Sequence, residues 1–269
     1  MKPLSSFPDD DLKAIKYVLA DIDDTITTDG RLTAAAYAAL ARLQEAGLVV
    51  IPITGRPAGW CDHFARMWPI DAIVGENGAF YFRYDHRAKV FHKCFSASDN
   101  DRKLNRQRLD RVAQIILDQV PGCALASDQL YREADIAIDF CEDVVPLSKN
   151  DIARIVTLME DHALTAKVSS IHVNGWIGDY DKLTMTKTVM ADLFDCDIED
   201  HKNKFVFVGD SPNDQPMFEY FPNAVGVANL KIFEDDLAFK PSYVTDEEAG
   251  SGFVELADRL IAARAPLTE

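Results

Sequence analysis

A chain of 269 residues with 48% hydrophobic and 27% charged residues has the composition of a soluble globular protein, with room for one large or two modest domains. Its formal charge of −16 sets it against a nucleic-acid backbone or an anionic membrane as partner. No stretch nears 18 apolar residues, the start (Met1-Lys-Pro-Leu-Ser-Ser) lacks the apolar run of a signal peptide, and the five cysteines are scattered without a C-x-x-C pair, so reduced thiols in the cytoplasm are expected.

Residues 1–16 carry little chemistry. Tyr17-Val-Leu-Ala20 is a short apolar run bounded like a buried strand, and it leads straight into Asp21-Ile-Asp-Asp-Thr-Ile-Thr27. Asp21 and Asp23, two residues apart, share a face on a regular strand. In an open α/β sheet that carboxyl end is where ligands bind. Two carboxylates held together repel, and a proton or a divalent cation relieves them. A calcium loop does not fit, because Ile26 stands at its sixth position and Leu32 at its twelfth.

Thr33 is placed to cap a helix running to about Ala46, stopped by Gly47. Leu48–Ile53 predicts the next buried strand, delivering Thr54-Gly-Arg56. Pro57 starts a helix with Trp60, Phe64 and Met67 on one side, and Ile70–Val74 is a third strand before the turn Gly75-Glu-Asn-Gly78. This alternation is the mark of a parallel sheet.

The rhythm then changes. Phe80–Phe82 and Lys89–Phe95 predict a hairpin. A charged run from Asp99 to Arg111 leads into a helix carrying Leu109, Val112, Ile115, Ile116 and Val120. Ala134–Phe140 alternates as a strand, Ser148–His162 is an amphipathic helix, and Lys167–Val173 is a further strand. The basic run from 101 to 108 is expected to be a solvated helix face. The block from 84 to 178 reads as an insert in a parallel domain formed by 1–83 and 179–269.

From Asp181 the parallel pattern resumes. Lys182 opens a helix reaching Phe194, and Lys204–Val208 is a buried strand ending in Gly209-Asp-Ser-Pro-Asn-Asp214. A short helix from Met217, a strand over Ala224–Ala228 and a closing helix from Phe253 to Ala263 complete the chain. Asp210 and Asp214 follow a strand end as Asp21 and Asp23 do, and Thr54 follows another. In a parallel sheet these three ends meet at one edge.

Asp21-x-Asp-x-Thr25, then Thr54 after an apolar strand, then a Lys, then Gly209-Asp-x-x-Asn-Asp214, resembles the motif series of the haloacid dehalogenase superfamily and spans nearly the whole chain in that order. The insert, preceded by Glu76-Asn-Gly-Ala79, is similar to the C2 cap of the Cof-like, sucrose-phosphate-phosphatase-like branch, subfamily IIB. The resemblance implies an α/β fold with a Rossmann-like parallel-sheet core, a mobile inserted α+β cap, and Mg²⁺-dependent hydrolysis of a small phosphate monoester. Sugar phosphates are the substrate class of that branch.

By the same resemblance Asp21 is the nucleophile that forms an aspartyl phosphate, and Asp23 is the general acid and base. Thr54 and the Gly55 N–H hold a phosphoryl oxygen. Mg²⁺ is bound by the Asp21 carboxylate, the Asp23 backbone carbonyl and Asp210, with Asn213 and Asp214 near the phosphate and the metal's water shell. The third-motif lysine is expected at Lys182, although Leu183 stands where the family has Gly; Lys187, one turn deeper, is the alternative. Asp24, where the branch commonly has Gly, is expected behind the ligands. Arg132, Glu133 and Trp176 of the insert are expected to be solvated or packed, and the six histidines to be surface or core residues. A phosphomutase and a non-catalytic phosphosugar-binding protein are the alternative functions. Intact Asp21, Asp23, Thr54 and Asp210 argue against the second.

Overall fold

A computed structural model describes residues 1–169 and 171–264. The chain opens with β1 (Lys2–Pro3) and α1 (Asp9–Ala14), then β2 (Tyr17–Ala20), α2 (Ala34–Glu45), β3 (Val49–Pro52), α3 (Ala58–Met67) and β4 (Ile73–Gly75). A hairpin of β5 (Phe80–Asp85) and β6 (Val90–Phe95) follows. The insert continues with α4 (Asp99–Gln119), β7 (Ala124–Leu125), β8 (Asp135–Asp139), α5 (Lys149–Asp161), β9 (Thr165–Val168) and β10 (His172–Trp176). The last third comprises α6 (Lys182–Phe194), β11 (Phe205–Gly209), α7 (Gln215–Tyr220), β12 (Ala224–Gly226), β13 (Tyr243–Val244) and α8 (Ala249–Ala262).

The core is a parallel sheet in the order β1-β13-β12-β11-β2-β3. Its central strands are apolar on both faces because each face is covered, whereas edge strand β1 is exposed. Alternate residues sort into two clusters: Val18, Ala20, Val50, Val206 and Val208 pack on one side, with Leu40 of α2 and Leu256 of α8. Leu19, Ile51, Phe205 and Phe207 pack on the other, with Val189 of α6 and Met217 of α7. Since β2 and β11 are neighbours in register, Phe205 opposite Tyr17 and Val208 opposite Ala20, the two acidic turns emerge side by side.

A parallel bridge from Ile53 to Val74 joins β3 to β4, which continues antiparallel into β5 and β6. The β5–β6 ladder crosses residue 84, where the insert was expected to begin. The second sheet, β7-β8-β10-β9, is antiparallel and packs against α4 and α5 through Leu109, Ile116, Ile155 and Met159. Side-chain caps on Thr33, Ser98, Ser148 and Asp181 each accept an N–H of the first helical turn and fix four helix starts; those of α2, α5 and α6 lie where expected, while α4 starts at Asp99 and takes in the charged run expected to lead into it.

Four short elements, β1, α1, β7 and β13, fall where none was expected, and three of the expected elements differ in course or facing. The single strand expected over Lys167–Val173 is two strands, because Ser169 Oγ accepts the N–H groups of Ile171 and His172 and turns the chain; Ser170 lies outside the described residues. β8 is buried along its whole length, and its apparent polar positions, Asp135 and Asp139, are hydrogen-bonded inside. On α3 the buried stripe is Ala58, Cys61, Phe64 and Ala65, whereas Trp60 and Met67 are exposed. Trp60 instead lies beneath the Arg56 guanidinium, 4.6 Å from its ring centroid.

Candidate active site

Asp21 extends the β2–β11 ladder by one bond, its N–H donating to Val208 O at 2.9 Å. The chain then folds on itself: the N–H groups of Ile26 and Thr27 both reach Ile22 O at 2.9 Å, and Asp24 adopts a left-handed φ of 55°. The fold that makes this turn leaves Asp21 buried and Asp23 partly open. At the end of β3 the Thr54 N–H donates to Val74 O, and its hydroxyl accepts the Arg56 N–H at 3.0 Å. Gly55 faces the Asn77 side chain, whose amide atoms would lie 3.2 Å from any Cβ there.

After β11 the Asp210 turn closes when the Asp214 Oδ2 accepts the Asp210 N–H at 3.2 Å. A Cβ on Gly209 would stand 2.2 Å from that same oxygen, so glycine is what lets Asp214 fold back. Lys182 is the first residue of α6, placed against the 76–78 turn because Gly78 admits the Asp181 carbonyl where a Cβ would sit 2.0 Å from it. Its Nζ reaches Asp21 Oδ1 at 2.6 Å and Asp214 Oδ1 at 2.7 Å. Lys187 instead pairs with exposed Glu199 at 3.0 Å, away from the acidic turns.

Carboxylate oxygens of Asp21, Asp210 and Asp214 all lie within 4.8 Å of one another, and all three residues are buried. One lysine cannot neutralise three carboxylates. Burial pushes the Asp21 acid up to about 7, with Lys182 opposing and Asp214 and Asp23 adding to the rise. Burial, then Asp21 and Asp214, likewise hold the Asp210 acid well above the usual carboxylate range. Burial works against the Lys182 ammonium, but Asp21 and Asp214 outweigh it and keep the lysine charged. Such a pocket of hard oxygen donors with surplus negative charge suits a small divalent cation. Asp214, expected near the metal's water shell, stands within the cluster, while the Asp23 carboxylate turns away from it to Arg56.

One cleft brings Asp21, Asp23, Gly55, Asp210 and Asn213 together with His172 and Asn174 from the insert. Asn213 is oriented through its Oδ1, which accepts the Ser211 hydroxyl at 2.9 Å. Asp24 lies outside that lining; its carbonyl accepts the Asn229 amide at 3.0 Å. Trp176 is packed in the core and stacks on Tyr180.

Sequence reasoning did not reach several residues here. Glu76 is fully buried and accepts four backbone N–H groups, from Ala58, Glu133, Ala134 and Asp135, tying the turn after β4 to α3 and to the insert. Arg132, expected to be solvated or packed, is buried and bridges Asp128, Asp135 and the Gly55 carbonyl. Arg56 and Glu142 were also passed over. The only hint was position: Arg56 follows Thr54-Gly55, and Glu76 opens the turn before the insert.

A family model described as haloacid dehalogenase-like hydrolase matches residues 18–118. No curated protein matches the sequence. Among solved structures, Thermoplasma acidophilum 0175 superposes with a TM-score of 0.70 at 16% identity, covering 93% of this chain and 99% of that one. The sucrose-phosphatase of Synechocystis sp. PCC6803, in complex with sucrose and phosphate, gives 0.62 at 15%, covering 91% and 97%. A subclass IIB sugar phosphatase gives 0.64 at 13%, covering 92% and 99%. Residues 18–118 thus resemble the haloacid dehalogenase-like hydrolases, and the chain as a whole shares its fold with the subclass IIB sugar phosphatase. No helix among the described residues is long and apolar enough to cross a membrane.

Proposed function

We propose that this protein is a Mg²⁺-dependent phosphatase acting on a small phosphate monoester, with a sugar phosphate as the substrate class. The observation that carries the reading is the meeting of Asp21, Lys182, Asp210 and Asp214 at one sheet edge, where Asp21 and Asp210 line a cleft shared with His172 and Asn174 of the insert. Solved relatives named as sucrose-phosphatase and sugar phosphatase support the substrate class. In this reading residues 1–83 and 179–269 are the catalytic core, and 84–178 form a cap that encloses the leaving group.

An Asp21 carboxylate oxygen attacks phosphorus; the bond to the leaving alcohol breaks as the aspartyl phosphate forms. Asp23 gives the leaving oxygen its proton. It then takes one from the water that attacks phosphorus and frees Asp21. Thr54, the Gly55 N–H, Lys182 and Asn213 hold phosphoryl oxygens, and Lys182 also offsets repulsion between Asp21 and the anionic phosphate. Asp21, Asp210 and the Asp23 carbonyl would hold Mg²⁺, with Asp214 beside them; the ion would supply the further positive charge that phosphoryl transfer needs. The five free cysteines agree with a cytoplasmic setting.

The test is phosphate release from a panel of sugar, polyol and nucleotide monophosphates, with Mg²⁺ and with EDTA. Release that needs the metal, is focused on sugar phosphates and is lost in a folded Asp21→Asn variant is the expected result. Release that survives EDTA or Asp21→Asn would exclude this mechanism.

A further inference from the structure

We propose that Arg56 is the positioning residue for Asp23, and that Glu142 of the insert holds Arg56 in place, so that closure of the insert sets the acid–base group. This rests on the phosphatase reading above. Arg56 Nε lies 3.0 Å from both Asp23 oxygens, and Nη2 lies 2.8 Å from Oδ1. A fork of two nitrogens on one carboxylate admits a single relative orientation. The cation–carboxylate pair thus defines where the Asp23 oxygens stand.

Arg56 is itself fixed along its length. Its N–H donates to Thr54 Oγ1 at 3.0 Å, its carbonyl accepts the Glu76 N–H at 3.1 Å, and its guanidinium covers the Trp60 ring. The outer nitrogen, Nη1, meets Glu142 Oε1 at 3.4 Å and Asp128 Oδ2 at 3.7 Å, both supplied by the insert. Glu142 is held in turn by His172 Nε2 at 2.8 Å and by its own N–H, which donates to Asp139 Oδ1 at 2.7 Å. An unbroken line of contacts therefore runs from β10 through Glu142 and Arg56 to Asp23. With the insert swung away, Arg56 loses both outer carboxylates and its fork on Asp23 is no longer anchored from that side. Since a misplacement of about 1 Å costs about 10²-fold in rate, that anchor has catalytic weight.

Proton donation matters when the leaving oxygen is a poor leaving group and little when it is a phenolate. The experiment compares kcat/KM, which reports steps up to phosphorylation of Asp21, for a polyol phosphate and for 4-nitrophenyl phosphate. Arg56→Met should lower the polyol phosphate value by about 10²-fold or more and the aryl value only a few-fold. Arg56→Lys, which keeps charge without the fork, should fall nearly as far, and Glu142→Gln should move the same way by less. Equal losses on both substrates would overturn the proposal. Should Arg56→Met fail to fold, Glu142→Gln carries the comparison. A crystal structure of either variant gives a second readout: the Asp23 carboxylate should be displaced while the Lys182–Asp21 contact persists. An unmoved Asp23 overturns the positioning role whatever the activity. A wild type that releases no phosphate from either ester overturns the phosphatase reading instead, and leaves the Asp23 displacement to decide the positioning.

Discussion

Lys182 Nζ stands 2.6 Å from Asp21 Oδ1, joining residues 161 positions apart and linking the first helical residue after the insert to the first acidic turn. The same ammonium meets Asp214 at 2.7 Å, so one side chain ties together two of the three carboxylates of the buried cluster. Lys182→Met removes the charge and keeps the stem. We expect kcat to fall by about 10²–10³-fold, the range for loss of one electrostatic stabiliser in a closed site. Lys187→Ala, which breaks only an exposed pair with Glu199, should change kcat less than about two-fold. Steady-state kinetics on the two variants checks both statements.

The buried Asp21 acid gives a pH signature with a definite sign. Burial pushes it up to about 7, whereas in an unfolded chain it titrates near 3.8. Between those values the folded protein holds a proton that the unfolded chain has released, so without divalent cation stability falls as pH rises from about 4 to about 7. Saturating Mg²⁺, which favours the ionised carboxylates, should flatten that decline and raise Tm most near neutral pH. Thermal melts across this range with Mg²⁺ and with EDTA measure it. A Tm that rises equally at every pH would count against cation binding at this cluster.

Gly209 should tolerate no side chain. Asp214 is fully buried and pinned between Lys182 and the Asp210 N–H, so it cannot retreat from a Cβ that would lie 2.2 Å from its Oδ2. Gly209→Ala should cost about 1–3 kcal/mol of stability. It should also weaken the Mg²⁺-dependent gain in Tm, because Asp214 and the cluster must shift together. Chemical denaturation and melts with and without the ion separate the two effects.

Glu76→Gln probes the junction between core and insert. Both carboxylate oxygens of Glu76 accept two N–H groups each, and the amide nitrogen of Gln would face two of those donors. Two buried N–H groups then lose their acceptor, at about 1–3 kcal/mol each. Hydrogen exchange should quicken at Glu133–Asp135 and at the start of α3, with β2 and β11 unchanged. Faster exchange throughout the chain would mean that Glu76 supports the whole fold, not this junction.

The parts of this protein that its sequence determined are those governed by neighbours in the chain. Apolar runs of four or five residues, a capping side chain at Thr33, and turns rich in Gly and Asp placed β2, β3, β11 and β12 within two residues, whereas the two-residue strands β1 and β13 are too short to be announced by any such run. They also brought Asp21, Thr54 and Asp210 to one edge, because parallel strands present their carboxyl ends together. Tertiary structure decided what lies across the cleft. That Lys182 and not Lys187 faces Asp21 depends on α6 docking against the 76–78 turn, while the reach of Glu76 to amides 57 to 59 positions away and the sharing of Arg56 between Asp23 and Glu142 depend on how the insert folds back over the core. The strand expected at 167–173 likewise became two, since Ser169 closes a turn that its apolar–polar alternation does not announce. Local rules carry no information about such pairings: the contacts form only once burial of the two separate cores has brought distant segments to hydrogen-bonding distance, and burial then makes each pairing obligatory.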